Sequence, residues 1–276
     1  MKIFKLNSRL ARRATATIAL GLLLGAQTAM ACTVGNWLGG NSGNVTPGGP
    51  NSDNIARYSG ICAMETADSA TSWVQDDSPG GIDRIRARFY VLANNSADAV
   101  IYRGFTSSDA ALFGVRLNPV SGDVTLFSAG ANATCSGCAN AGAWNSIEID
   151  WNAGGGARVM WGNSDARSDA ADATAAFSTT NTVSAVRLGN LNDAAGVLGF
   201  DAYESRRTTA IGRLCVGDGN GDVSIGFPDV TEIFNEVSSA GVELSAGQPD
   251  VDENGEVGFP DVTQAFGLVS LAASCD

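Results

Sequence analysis

The chain has 276 residues, enough for one large domain or two smaller ones, and 17 Lys and Arg against 29 Asp and Glu give it a formal net charge of −12. This acidic balance argues against a nucleic-acid partner or an anionic membrane surface, because both require basic patches. The chain contains no His, which excludes Ser-His-Asp and Cys-His catalysis and His-ligated zinc.

The first 31 residues predict a secretory signal peptide. Basic residues between positions 2 and 13 precede an apolar stretch, Ala14–Ala26, and Ala29-Met30-Ala31 has the small-x-small pattern of a cleavage site. The apolar stretch is too short for a typical spanning helix, so we expect no membrane insertion after cleavage. The predicted location is extracellular, with the periplasm or the cell surface as alternatives. Removal of the peptide would leave 12 Arg, no Lys and 29 acids, a net charge of −17.

Six cysteines follow the predicted cleavage site, and an even number in an exported protein predicts up to three disulfides. Cys135 and Cys138 have a redox-type spacing. They lie among Ala, Asn and Gly rather than at a helix N-terminus, which favours a local loop disulfide. A bridge from Cys32 to Cys62 would attach the N-terminal segment to the domain. Cys32 directly follows the cleavage site, so a lipid anchor there is an alternative that would leave five cysteines.

Residues 32–55 are rich in Gly, Asn, Ser and Pro and predict an irregular lead-in. From residue 56 to 211, short apolar-alternating runs separated by turn clusters predict an antiparallel β-sandwich. Two runs show the pleat clearly, because alternate residues along a strand point to opposite faces. The predicted inward faces are Ile85, Ala87, Phe89 and Val91 in the first run and Ile147, Ile149 and Trp151 in the second.

This strand pattern, above all WNSIEIDWNAGGGARVMWGN and VRLGNLNDAAGVLGFDAYESRR, resembles a concanavalin A-like or laminin-G-like jelly roll. Glu148-Ile149-Asp150 is also similar to the E-I-D-x-E strand of laminarinase-type glucanases, but Asn152 stands in place of the second Glu. A retaining glycosidase needs two carboxyl groups about 5–5.5 Å apart. The simpler expectation is an acidic pair on the outer face of a strand; the alternative is a polysaccharide-degrading glycoside hydrolase, or an accessory component, using Glu148 and Asp150.

Residues 212–276 predict a second, smaller domain. From Arg213 onward the chain has 12 acids and one Arg, and it repeats itself at an offset of 32: Asp218–Thr231 reads DGNGDVSIGFPDVT and Asp250–Thr263 reads DVDENGEVGFPDVT. An amphipathic segment with helical spacing follows each copy. Its apolar residues are Val230, Ile233, Phe234 and Val237 in the first copy and Val262, Ala265, Phe266 and Val269 in the second.

Each repeat matches a twelve-residue calcium loop, which supplies oxygen ligands from positions 1, 3, 5, 7, 9 and 12. The predicted ligands are Asp218, Asn220, Asp222, Ser224 and Asp229 in the first loop and Asp250, Asp252, Asn254, Glu256 and Asp261 in the second. At position 6, where a sharp turn is needed, the second loop has Gly255 but the first has the β-branched Val223. We therefore expect two Ca²⁺ sites, the first weaker than the second.

The two loop-helix repeats resemble a bacterial dockerin type I module covering Cys215 to Cys275. The resemblance implies that the ends of the module lie close together, where Cys215 and Cys275 could form a disulfide. It also implies a cohesin-like protein partner. Dockerins commonly have small or hydroxyl residues at loop positions 10 and 11, whereas here both copies have Phe-Pro, Phe227-Pro228 and Phe259-Pro260.

Together these features predict a mainly β protein, a jelly-roll sandwich with a small α-helical calcium-loop domain. We expect a secreted, non-enzymatic protein whose sandwich binds an extracellular glycan or a protein and whose tail provides attachment. The combination resembles exported bacterial proteins that contain dockerins.

Overall fold

The structure, a computed structural model, describes residues 32–49, 55–94, 97–153, 157–177, 179–238 and 246–275. The predicted signal peptide at 1–31 lies outside these residues. Within the described ranges, no helix combines the length and the hydropathy that crossing a membrane requires.

Two antiparallel sheets form the body of the protein, which confirms the predicted fold class. The larger sheet contains, in spatial order, β1 (Val45–Gly48), β2 (Ala63–Thr66), β13 (Leu198–Arg206), β4 (Arg84–Ala93), β9 (Trp144–Asn152), β10 (Ala157–Gly162) and β11 (Ala173–Ala176). The smaller sheet contains β3 (Ser72–Asp76), β12 (Ala185–Asn190), β5 (Ala99–Phe105), β6 (Ala111–Asn118), β7 (Asp123–Ser128) and β8 (Ala131–Cys135). Strands adjacent in sequence often lie in different sheets, as in a jelly roll.

The hydrophobic core lies between the two sheets. In β4 and β9 the predicted inward residues are all fully buried in it. The two strands pair along their whole length, so that Ala87 faces Ile149 and Phe89 faces Ile147. Each large side chain buried in this way stabilises the fold by about 1.5–3 kcal/mol.

The lead-in is more ordered than its composition predicts. Val34–Asn36 forms a single 3-10 turn, and Val45–Gly48 is strand β1, which pairs with β2 at the edge of the larger sheet. The expectation of no element at 45–48 is therefore wrong, because the pairing partner supplies the order that the Gly- and Pro-rich segment lacks. Pro47 is compatible with an edge strand, where a missing N–H is tolerated.

The acidic C-terminal region contains two helices, α1 (Phe227–Ser238) and α2 (Phe259–Ser270). They pack together around a small core of Ile233, Val251 and Ala265. The predicted apolar faces are only partly buried, since Phe234 and Phe266 remain 45% and 52% exposed. A pair of short helices has too little surface to cover every apolar residue on two amphipathic faces.

The structure contains three disulfides, all joining the pairs that the sequence suggests: Cys32–Cys62, Cys135–Cys138 and Cys215–Cys275. The first attaches the lead-in to β2. The third closes the C-terminal module across 60 residues.

Candidate metal centres and their contact with the sandwich

Two clusters of carboxylates lie at the start of the two C-terminal helices. Within each cluster one carboxylate oxygen from each residue lies within 4.8 Å of those of the other two; the members are Asp218, Asp222 and Asp229 in the first and Asp250, Asp252 and Asp261 in the second. All six belong to the predicted ligand set. The other four predicted ligands, Asn220, Ser224, Asn254 and Glu256, lie in the same two loops.

The aspartate at loop position 1 holds the turn together in both copies. Asp218 accepts hydrogen bonds from the backbone N–H groups of Gly221 at 2.8 Å and Val223 at 2.9 Å. Asp250 accepts one from Gly255 at 2.8 Å. These bonds curl the loop around its first carboxylate, so that later side chains converge on it.

The aspartate at position 12 connects the loop to its helix. Asp229 accepts from the N–H of Gly226 at 2.7 Å, and Asp261 accepts from that of Gly258 at the same distance. The other oxygen of Asp261 accepts from Val251 N–H at 2.7 Å, at the beginning of its loop. Each helix therefore begins with a carboxylate in its first turn, where the helix dipole favours negative charge.

The backbone of the two loops follows the same path with different residues. Position 4 is left-handed in both, at Gly221 (φ 77°) and Glu253 (φ 61°). Position 6 is also left-handed, at Val223 (φ 66°) and Gly255 (φ 93°). At these two positions each loop thus has one glycine, which adopts the left-handed conformation without steric cost, and one residue for which that conformation is strained.

The electrostatics of the clusters favour a bound cation. Burial, together with the nearby carboxylates of Asp261 and Asp252, raises the pKa of Asp250 to about 8. Burial also raises the pKa of Asp218 and of Asp261. None of the ion pairs among the described residues involves either cluster. Oxygen-rich, anionic and closely spaced ligands are those that Ca²⁺ prefers.

The two loops are tied together through Gln248, which precedes the second loop. Its backbone N–H donates to the carbonyl of Asp218 at 2.7 Å, and its side-chain oxygen accepts from the N–H of Gly217 at 2.8 Å. A change in the geometry of one loop would therefore reach the other directly.

The second loop also contacts the sandwich, through Glu253. The backbone carbonyl of Glu253 accepts a hydrogen bond from the backbone N–H of Trp144 at 2.7 Å. Its carboxylate accepts from the Tyr58 hydroxyl at 2.8 Å and from the Arg213 guanidinium at 2.5 Å. Gly255 lies so close to Leu92 that a Cβ there would be 2.9 Å from a Leu92 methyl carbon. The loop is thereby fixed against the end of strands β4 and β9.

A second contact joins the first helix to residues 55–62. The buried Arg57 forms an ion pair with Glu236 of α1, and Gly60 N–H donates to the carbonyl of Gly247 at 2.9 Å. Beside it, Tyr58 stacks on Tyr90 with ring centroids 3.8 Å apart. The module and the outer side of the larger sheet therefore share a continuous buried surface.

Glu148 and Asp150 are engaged within this surface. Glu148 is 2% exposed and accepts from the backbone N–H groups of Ile211 at 3.0 Å and Gly212 at 2.7 Å. Asp150 is 8% exposed and accepts from Arg84 at 2.6 and 3.0 Å and from Arg86 at 2.9 Å. All four carboxylate oxygens thus have partners. The expectation that this face of β9 meets solvent is wrong, because the segment leading into the module covers it.

Four exposed phenylalanines lie on the two helices, in two equivalent contacts. Phe227 meets Phe266 edge to face with ring centroids 6.1 Å apart, and Phe259 meets Phe234 at 6.3 Å. The pairs correspond under the 32-residue repeat. Phe227 and Phe259 are each 63% exposed, so the position-10 residues form an apolar surface beside the loops.

Sequence reasoning missed Glu253, the residue that attaches the second loop to the sandwich. Its partners are 195 and 40 positions away along the chain, so no local pattern could identify them. One signal was present: at this position the first repeat has glycine and the second a charged residue. A charged residue in place of glycine at a strained backbone position indicates a tertiary contact that compensates for the strain.

No protein-family model matches the chain, and no curated protein matches its sequence. Solved structures similar to it include the cellulose-induced protein Cip1 (10% identity, TM-score 0.44, covering 64% of this chain and 91% of that one). The galectin LEC-6 of Caenorhabditis elegans (14%, TM-score 0.35, 52% and 96%) and domains LG4-5 of the mouse laminin α1 chain (11%, TM-score 0.35, 57% and 41%) are also similar. These neighbours are β-sandwiches of the concanavalin A and laminin-G type. At such identities the likeness concerns the fold alone, which the two sheets already define.

Proposed function

We propose that the protein is a non-enzymatic calcium-binding protein whose sandwich binds a carbohydrate or protein ligand and whose C-terminal module provides attachment. The observation that carries the calcium proposal is the match between the two loops. Both gather three carboxylates within 4.8 Å, both have left-handed residues at positions 4 and 6, and both end in the first turn of a helix.

In this proposal each loop holds one Ca²⁺. Side-chain oxygens at positions 1, 3, 5 and 12 supply most ligands, and the backbone carbonyls of Ser224 and Glu256 supply position 7. The cation neutralises carboxylates that otherwise repel one another. It thereby rigidifies the second loop, which presents Glu253 to Tyr58 and Arg213 of the body. Calcium would thus stabilise the module and its attachment to the sandwich together.

Calorimetric titration of the chelator-treated protein with Ca²⁺ tests this proposal. We expect two binding events for the wild type and one each for Asp218→Asn and Asp250→Asn, which keep the side-chain shape but remove a ligand charge. Asp98→Asn, an exposed aspartate outside the loops, controls for the loss of charge. The absence of any binding up to millimolar Ca²⁺, with unchanged circular dichroism, would overturn the proposal.

The attachment role rests on the exposed phenylalanine pairs, a surface suited to an apolar site on a partner protein such as a cohesin-like domain. Binding of recombinant cohesin domains to the calcium-loaded protein can be measured by calorimetry. Loss of binding on chelation and in Asp261→Ala and Phe259→Ala variants would support attachment. If binding survives chelation and both substitutions, the cohesin domain binds to another surface of the protein.

The ligand of the sandwich is tested by native affinity electrophoresis through a panel of polysaccharides with calcium present. Retardation by one polymer supports a carbohydrate-binding protein. Unretarded migration through every polymer favours a protein ligand. The buried and fully paired Glu148 and Asp150 have no catalytic part in this proposal.

A further inference from the structure

A row of polar and aromatic side chains crosses the outer face of the smaller sheet. Each of the six strands contributes one residue, and each residue lies directly opposite the next on the neighbouring strand. We name this set the arginine row: Gln75, Arg187, Arg103, Gly114, Phe127 and Asn132. The residues that alternate with them belong to the core: Val74, Val186, Tyr102, Val115, Leu126 and Ala133. With strands about 4.8 Å apart, the row is about 24 Å long.

The row contains positive charge that the protein compensates only in part. Arg187 pairs with the exposed Asp109 at 2.8 Å. The ion pairs of the described residues involve Arg57, Arg84, Arg86, Arg88, Arg167, Arg187, Arg206 and Arg213. Arg103 and Arg116 take part in none of them. Arg103 lies directly opposite Arg187, and its buried Nε has no hydrogen-bond partner among the described residues. Burial and the charge of Arg187 both lower the pKa of Arg103.

Aromatic rings hold these guanidinium groups in place. Arg187 lies 4.5 Å from the Trp73 ring centroid and 4.3 Å from that of Phe105, and its Nε donates to Gln75 at 2.6 Å. Such stacking and hydrogen bonding fix the plane of a guanidinium group before a ligand arrives.

The Phe127 ring stacks in the same way beside the guanidinium groups of Arg103 and Arg116. Its centroid lies 5.9 Å from Arg103 and 5.3 Å from Arg116. The ring lies across Gly114, where a Cβ would be only 2.5 Å from it. Glycine at this position therefore allows the ring to lie flat against the sheet, between two arginines.

We infer that the arginine row, with Arg116 beside it, binds a polysaccharide that carries carboxylate groups, a chain of uronic acid units lying across the strands. This inference rests on the proposed carbohydrate-binding role of the sandwich and names its ligand class. The planar guanidinium fork matches a carboxylate in a bidentate way. The strand spacing is close to the length of one pyranose unit, so successive sugars meet successive strands.

Because the protein is acidic overall, a polyanion is expected to bind only at a positive surface such as the arginine row. A chain with a formal charge of −12 repels a polyanion in general, so retention requires a local positive surface. Carboxylates at the arginine row reduce the repulsion between Arg103 and Arg187.

The test is calorimetry of the calcium-loaded protein with oligogalacturonates too short to gel with calcium. We expect the wild type to bind, and its affinity to fall at high salt. The affinity should be at least tenfold lower for Arg116→Gln and lower still for R103Q/R116Q, because charge-assisted hydrogen bonds are among the stronger ones. The control R206Q/R207Q removes the same charge from exposed residues elsewhere and should bind as the wild type does. Because Arg116 is exposed, its single variant decides the outcome if the double variant does not fold.

Other results would overturn the inference in distinguishable ways. Binding of a neutral glucan alone would refute the arginine row but keep the carbohydrate-binding proposal. Equal binding of dextran sulfate or of single-stranded DNA would show a general polyanion site rather than carboxylate recognition. Loss of binding in R206Q/R207Q as large as in R103Q/R116Q would show an effect of net charge only.

Discussion

Replacing Val223 by glycine should strengthen calcium binding at the first loop. Val223 has a φ of 66°, a left-handed conformation that costs a non-glycine residue on the order of 1–3 kcal/mol. Its side chain is 72% exposed, so the substitution removes little packing. Glycine also has more conformational entropy to lose when the loop becomes ordered, about 0.5–1 kcal/mol. From the middle of each range the net gain is about 1.3 kcal/mol, or ~9-fold in affinity.

The assay compares Val223→Gly with the parent protein in an Asp250→Asn background, in which only the first loop retains its full ligand charge. Calorimetry gives the calcium affinity, and thermal unfolding with and without calcium shows whether the gain appears in binding or in the stability of the folded module. Both measurements are needed because strain relieved before calcium binds raises stability rather than affinity.

Glu253→Gly is the matched contrast. It removes the backbone strain at position 4 of the second loop, where φ is 61°, but it also removes the contacts with Tyr58 and Arg213. We therefore expect this variant to unfold at a lower temperature, although it removes a similar backbone strain. If Val223→Gly changes neither affinity nor stability, or lowers both, then backbone strain at position 6 does not limit calcium binding by the first loop.

Three further predictions concern the body and the disulfide. Glu148→Gln should lower the free energy of unfolding by about 1–3 kcal/mol in denaturant titrations, because an amide nitrogen then faces a backbone N–H; loss of a released sugar product with stability intact would instead reveal catalysis. C215S/C275S should destabilise the module by about 4 kcal/mol in calorimetry, since a 60-residue loop is released, and an unchanged transition would contradict this. Asp201 lies in β13, and its carboxylate accepts from the backbone N–H groups of Tyr58 and Ser59. Burial raises the pKa of Asp201 to about 6. The folded state therefore binds more protons than the unfolded state between pH 4 and 6, and stability falls by about 3 kcal/mol as pH rises through that window. An NMR titration of the Asp201 carboxyl with a midpoint near 4 would refute it.

Much of the architecture follows from local patterns in the sequence. The two-residue alternation in Arg84–Val91 and Trp144–Trp151 predicts both the strands and their inward faces, because the pleat of a strand depends only on the backbone. The repeated loop motif likewise predicts where both helices begin, since position 12 must lie at the start of a helix for its carboxylate to reach the loop. The same motif contains all six carboxylates of the two clusters.

The partners of the outward-facing residues could not be derived in this way. Glu148 alternates with apolar neighbours as a solvent-facing residue does, yet the chain at 211–212 crosses back over it. Glu253 acts through residues on distant segments, and the approach of Gly255 to Leu92 leaves no trace in either local sequence.

The strand periodicity and the two acidic loops can be predicted from the sequence, because each is encoded within a short segment of the chain. Which outer face of the sandwich is covered and which is open depends on the tertiary fold. It brought Arg187 and Arg103 side by side from positions 84 residues apart, and it fixed the second loop against the sandwich. The physical reason is register: which residues face one another across a sheet depends on how distant strands pair, and that pairing is set by burying the whole core at once.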